Sequence, residues 1–167
     1  MAIEAVLRRE WEAGLPSVAG AVVRGRVPVR QGLVDAVVAA ALPAVQARVG
    51  MVRGLQVQIT GARQVLARVT VNLRLFTLPV DVPVTLPERM TAQGEVVAAL
   101  GGLGALAGAL GGVLGEIEGV TFAGDTVRVD VSRVLAGQGL GMVQVRELAF
   151  SGSAGEVWVD FGVEVVS

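Results

Sequence analysis

The sequence predicts a single α+β domain, in which a curved antiparallel β meander of about six or seven strands packs on N-terminal helices and a central glycine-rich apolar helix. Three observations predict this architecture. Apolar residues recur at helical spacing in residues 1–49, they alternate with polar residues in residues 51–87 and 119–166, and they fill an uncharged segment within residues 95–117. The length of 167 residues suits one domain with an adequate core.

The N-terminal part is predicted to be mainly helical. Residues 2–13 have the spacing of a short amphipathic helix, and residues 31–49 have that of a second helix, which Pro43 should kink. Between the two helices, residues 18–29 are ambiguous. Their alternation allows a strand with Pro28 near its edge.

After the second helix the apolar period changes to two, which indicates strands with one buried face. Residues 55–60 and 67–75 alternate clearly, and residues 78–87 continue the extended chain. Three prolines in that last stretch allow only an edge strand or an extended connection. Two hairpins are predicted near the end of the chain, in residues 120–131 and 143–165.

The most unusual segment is residues 96–115, which carry no charge and hold seven glycines among Leu, Val and Ala. We interpret residues 95–117 as an apolar helix, because large apolar residues recur every three or four positions beside a stripe of glycines. Such a helix can pack on the sheet, contact lipid or closely approach a second copy of itself. The acidic flanks at Glu95, Glu116 and Glu118 disfavour a membrane-spanning helix.

The same segment contains a weak nucleotide-binding pattern. Residues 102–107 match G-x-G-x-x-A, residues 96–100 could form the preceding strand, and Asp125 follows about 20 residues later. The rest of the chain predicts hairpins and no further β-α-β units. A nucleotide-binding enzyme is therefore the third hypothesis.

Composition excludes several classes of enzyme. His, Cys and Lys are absent and all 14 basic residues are Arg, so no Ser-His-Asp set, Cys-His set or Schiff-base lysine can form. Metal sites that contain His or Cys are excluded too, whereas carboxylate-only sites stay open. The net charge of −1 predicts no nucleic-acid partner. We expect no catalytic residues, no cofactor and no metal.

Three stretches carry a family resemblance: residues 25–75, 127–135 and 145–165. In the first, a helix that ends near a Leu-Pro pair leads into long antiparallel strands, and the other two read VRVDVSRVL and VRELAFSGSAGEVWVDFGVEV. This arrangement resembles bacterial lipid-binding domains of the TULIP-like and LmeA-like type. The resemblance implies a curved sheet wrapped on a helix around an apolar groove for acyl chains.

We therefore expect non-catalytic binding or carriage of a lipid or other long apolar ligand, with a membrane surface as a candidate partner. Because residues 1–14 lack the features of a signal peptide, we expect a cytoplasmic protein that can associate with a membrane. Candidates for contact with lipid head groups are Arg24, Arg26 and Arg30. The expected apolar lining consists of Leu100, Leu103, Leu110, Leu114, Val69, Val71, Leu73, Val129 and Val159. The alternative is a structural or interaction protein that forms homo-oligomers through the glycine-rich helix.

Overall fold

The structure is a computed structural model that describes residues 18–48, 50–102 and 118–166, together with residues 5, 8, 9 and 11–13. Beyond residue 18, the described chain has an α+β fold with nine strands in two antiparallel sheets and two helices. The elements are β1 (Val22–Arg30), α1 (Gln31–Arg48), β2 (Val52–Ile59), β3 (Gln64–Leu73), β4 (Phe76–Thr85), β5 (Glu95–Leu100), β6 (Val120–Ala123), β7 (Thr126–Asp130), α2 (Val131–Gly137), β8 (Val143–Ser153) and β9 (Glu156–Val165).

Each sheet has one apolar face and one face that carries most of its polar side chains. The smaller sheet has the order β1-β9-β8, and the larger has the order β2-β3-β4-β5-β7-β6. In the smaller sheet, Val27, Val159 and Phe150 are cross-strand neighbours on one face, while Arg26 and Asp160 are paired on the other. This division follows from the sequence alternation, because successive side chains of a strand point to opposite faces.

The two sheets are joined at the turn between β8 and β9. The backbone N–H of Gly155 in that turn donates to the carbonyl of Ile59 at 3.0 Å, and its carbonyl accepts from the N–H of Gln31 at 3.1 Å. On the other side of β8, residues 88–90 form two further backbone hydrogen bonds with it, of 2.8 and 3.0 Å. The apolar faces of the two sheets therefore meet at one corner.

The helix α1 lies along the free edge of β2. The side chain of Gln31 donates to the Val57 carbonyl at 2.6 Å and accepts from the Ile59 N–H at 2.9 Å, and Gln46 donates to the Arg53 carbonyl at 3.0 Å. These bonds satisfy backbone groups that an edge strand would otherwise present to another chain. The larger apolar side chains on the half-buried face of α1 are Val34, Val38, Leu42 and Val45.

The proline-rich strand lies at an edge over most of its length, as the sequence predicts. β4 pairs with β3 along all ten of its residues, but with β5 only at Val84 and Thr85. A proline lacks the N–H that a strand between two neighbours would donate. Pro79 and Pro83 can occupy β4 because no second described strand pairs with β4 at these positions.

The prediction of an apolar helix is wrong for residues 95–100, which form β5. β5 lies between β4 and β7 and places Val96, Ala98 and Leu100 on the apolar face of the larger sheet. Its other face carries Val97 and Ala99, so no two-residue alternation marks the strand. The rest of the predicted helix, with Leu103, Leu110 and Leu114, lies outside the described residues.

A single meander of six or seven strands is also wrong. The described strands form two sheets, and β7 lies between β5 and β6 in the larger one. Alternation locates strands but carries no information about which strands pair, so this order is not visible locally.

The alternation also misses α2. The carboxylate of Asp130 accepts the N–H of Arg133 at 3.0 Å and caps the first turn of this helix. An aspartate before a helix is a recognised start signal, and Asp130 carries it in the sequence. Near the N-terminus, Ala5, Arg8 and Trp11 are helical, within the helix predicted over residues 2–13.

Candidate ligand-binding site

Apolar side chains occupy one entire face of the six-stranded sheet. The register aligns Leu55, Val69 and Val80 across β2, β3 and β4. Val96 and Val129 continue the same face on β5 and β7. The opposite face is polar and carries, for example, the Arg68–Asp81 pair. The larger sheet thus presents a hydrophobic surface that extends across all six strands.

The burial of this surface changes along β4. Val82 is 5% exposed and packs against Leu100 at the centre of the hydrophobic cluster. Val80 is half-buried, Leu78 is 44% exposed and Phe76 is 59% exposed. The apolar stripe of β4 therefore leads from a buried centre to an exposed end at the β3–β4 turn.

An apolar cleft of about 280 Å³ opens where the two sheets and α1 meet. It lies next to the hydrophobic surface of the larger sheet, and both include the side chains of Val57, Ile59 and Val65. The described residues that line it are nine and all apolar: Val29, Val34, Val57, Ile59, Val65, Leu86, Phe150, Val157 and Val159. Because none of these described side chains is polar, they can accept hydrocarbon but cannot satisfy a buried polar group.

A larger groove of about 580 Å³ lies between α1 and the edge of the sheet at β2 and β3. Its wall is mixed, and several of its polar side chains already have partners. Gln31 bonds to Asp35 and to the β2 backbone, and Arg68 bonds to Asp81 at 2.6 and 2.8 Å. The smaller cleft is the better candidate for an apolar ligand, because its described wall is apolar and it adjoins the hydrophobic surface.

The position of α1 against β2 shapes both spaces, and it depends on Gln31. We expect Gln31→Ala to lower the free energy of unfolding by about 2 kcal/mol, because it leaves the Val57 carbonyl and the Ile59 N–H without their partners in a partly buried position. Urea denaturation followed by circular dichroism measures this change. Gln46→Ala is the matched control. It removes one exposed bond, so we expect a loss of about 0.5 kcal/mol, and equal losses in the two variants would contradict the role given to Gln31.

The predicted head-group residues lie on the polar face of the smaller sheet, away from the cleft. Arg26 contacts Asp160 at 2.5 and 2.9 Å, and the hydrogen bond from its guanidinium lowers the pKa of that carboxyl below its ordinary value. Arg30 contacts Glu156 at 2.8 Å. Two of the three arginines are thus locally compensated, and Arg24 lies on the same face.

Most of the predicted lining residues that the structure describes are brought together. Val69, Val71, Leu100 and Val129 lie on the apolar face of the larger sheet, and Leu73 is the register partner of Phe76 at the end of β3. Val159 lies apart from them, in the wall of the cleft. Sequence reasoning missed the other cleft residues, of which Ile59, Phe150 and Val157 are members of alternating strands. Their alternation marks them as buried, but only the contact between the sheets places them in one wall.

The arrangement around the glycine-rich pattern does not fit a dinucleotide site. Residues 95–100 do form a strand before Gly102, but both neighbours of that strand run antiparallel to it. A dinucleotide-binding unit needs adjacent parallel strands joined by a helix, and no adjacent pair in the described sheets is parallel.

The described residues contain no group of three or more acidic side chains placed to hold a metal ion. None of the helices that they form combines the length and the apolar character needed to cross a bilayer.

No protein-family model, no curated protein and no solved structure matches this chain. The resemblance to TULIP-like and LmeA-like lipid-binding domains therefore stays a prediction from the sequence.

Proposed function

We propose that this protein binds one long apolar ligand, of the acyl-chain type, without catalysing its conversion. The observation that carries the proposal is the cleft between the sheets, which nine apolar side chains line in the part of the chain that the structure describes. These side chains offer water no hydrogen bonds. Each methylene group of a ligand that moves from water into the cleft contributes about 0.8 kcal/mol to the binding free energy.

The size of the cleft supports a chain-like ligand. Its volume of about 280 Å³ is near the lower end of small-molecule pockets, which begin at about 300 Å³. It is also about twice the roughly 150 Å³ of an engineered apolar cavity that admits benzene. A hydrocarbon chain can enter such a space end-on.

The surroundings of the cleft favour a chain over a compact ligand. The half-buried residues Val65, Ala67 and Val69 continue the apolar wall along β3. From Val65 to Val69 this strand covers roughly 14 Å, at about 3.4 Å per residue. A ligand that fills the cleft with its end can therefore lay further methylene groups on the same surface.

The proposal predicts a steep dependence of affinity on chain length. Across saturated fatty acids of increasing length, we expect each added methylene group to tighten binding by about fourfold until the apolar wall is covered. Displacement of a fluorescent fatty acid by each member of the series, below its micelle concentration, measures the dissociation constants.

A polar chain end provides the control for this series. An ω-hydroxy fatty acid of equal length should bind at least about tenfold more weakly, because its hydroxyl would enter a wall without hydrogen-bond partners. Affinities that do not depend on chain length, or that are equal for the two chain ends, would contradict the proposal.

A further inference from the structure

The end of the larger sheet at the β3–β4 turn carries an exposed apolar cluster. Leu75 is 93% exposed, and Phe76 and Leu78 follow it on β4 with about half of their surface in solvent. Met51, 48% exposed, lies beside them, because the N–H of Asn72 donates to its carbonyl at 2.7 Å. We name Met51, Leu75, Phe76 and Leu78 the hairpin tip.

The stretch of sequence that contains the hairpin tip carries charges of one sign. Residues 36–80 contain five arginines and neither Asp nor Glu. These residues form most of α1, all of β2 and β3, and the first half of β4. Arg53 and Arg74 are exposed close to the tip, while the nearest acid along β4, Asp81, is bound to Arg68.

We propose that the hairpin tip docks on the surface of a bilayer that contains anionic lipids. Exposed leucine and phenylalanine side chains gain free energy when they enter the acyl boundary of a bilayer, and neighbouring arginines are attracted to anionic head groups. The combination of an apolar tip with an acid-free, arginine-bearing flank fits that partner in both respects. This docking site is distinct from the polar face that carries Arg24, Arg26 and Arg30.

The hairpin tip is continuous with the interior of the protein. The stripe formed by Phe76, Leu78, Val80 and Val82 runs along one face of β4 from the tip to the hydrophobic centre. A bilayer at the tip would thus lie at the exposed end of the apolar stripe of β4. The docking itself rests on the tip and its charges, and it does not require an occupied cleft.

Vesicle flotation tests the docking. We expect the protein to float with vesicles of phosphatidylcholine and phosphatidylglycerol, to bind pure phosphatidylcholine vesicles severalfold more weakly, and to lose much of the difference at high salt, since salt screens exposed charges. The double variant Leu75→Ser/Phe76→Ser should bind the anionic vesicles about tenfold more weakly. Leu33→Ser/Val37→Ser is the matched control, because it removes two exposed apolar residues near the opposite end of α1, and it should bind like the unaltered protein.

A site-specific label separates docking at the tip from general adhesion. The chain contains no cysteine, so Leu75→Cys and Leu33→Cys each provide one site for an environment-sensitive fluorophore. Anionic vesicles should shift the emission of the label at residue 75 to the blue and leave the label at residue 33 unchanged.

Three results would overturn this inference: equal shifts at both labels, vesicle binding that survives the double substitution, or no vesicle binding by the unaltered protein. Self-association that the double substitution abolishes, in a protein that ignores vesicles, would assign the tip to a protein contact instead. Fatty-acid displacement in vesicle-free buffer reports on the cleft separately, so failure of one proposal is distinguishable from failure of the other.

Discussion

A protein with Val159→Phe is expected to bind long-chain fatty acids about thirtyfold more weakly than the unaltered protein. Val159 lines the cleft and is a cross-strand neighbour of Phe150, so a phenyl ring at this position would occupy space that the ligand needs. Excluding two or three methylene groups from the wall removes about 2 kcal/mol of binding free energy, which corresponds to that factor. The fluorescent displacement assay measures it.

The same substitution should leave the ligand-free fold intact. Since the new ring fills an existing cavity, we expect the free energy of unfolding to change by less than about 1 kcal/mol. Val22→Phe is the matched control, because Val22 is an exposed residue on the polar face of the same sheet and should alter neither affinity nor stability. If Val159→Phe binds fatty acids as tightly as Val22→Phe does, the cleft is not the ligand site.

Gly152→Ala is expected to lower the free energy of unfolding by about 4 kcal/mol. Gly152 has a φ of +142°, which residues with side chains rarely adopt. An added Cβ would clash with the carbonyl oxygen of Glu156 and lie 2.9 Å from the Cα of Val157. Backbone strain of about 1–3 kcal/mol and a similar cost of steric overlap combine to give this loss. Urea denaturation measures it.

The neighbouring turn glycine separates strain from overlap. Gly155 has a φ of +82°, but an added Cβ there would meet nothing within 4 Å. Gly155→Ala should therefore cost only the strain of the left-handed backbone, about 1–2 kcal/mol. Equal losses of unfolding free energy at the two positions would contradict the steric cost predicted for Gly152, because they would mean that the neighbouring backbone shifts to accommodate the added Cβ. Because this hairpin joins the two sheets around the cleft, Gly152→Ala should also weaken fatty-acid binding.

The sequence predicts the strands better than it predicts their assembly. Alternation in residues 55–60, 67–75 and 143–165 marks segments that the structure has as β2, β3, β8 and β9. It also places Val69 and Val71 on an apolar face. These features are local, because the side-chain period of a strand is set by its backbone geometry alone.

Pairing and packing between sheets are not local, and here the predictions fail. Nothing in residues 95–100 distinguishes an apolar strand from the first turns of an apolar helix, since its neighbours β4 and β7 decide the outcome. In the same way, Val157 and Ile59 come into one wall only because the β8–β9 turn is hydrogen-bonded to the end of β2. The apolar character of the candidate site was thus predictable from the sequence, but its location between the two sheets was not.

The apolar cleft is proposed to hold an acyl-chain ligand, and mass spectrometry of the purified protein tests this claim most directly. Native spectra should contain a species heavier than the 17.1 kDa chain by the mass of one lipid or fatty acid. Solvent extraction should release that molecule, and the Val159→Phe protein should carry much less of it. A ligand-free chain or ligand-free oligomer that also fails to take up added fatty acids would contradict the claim.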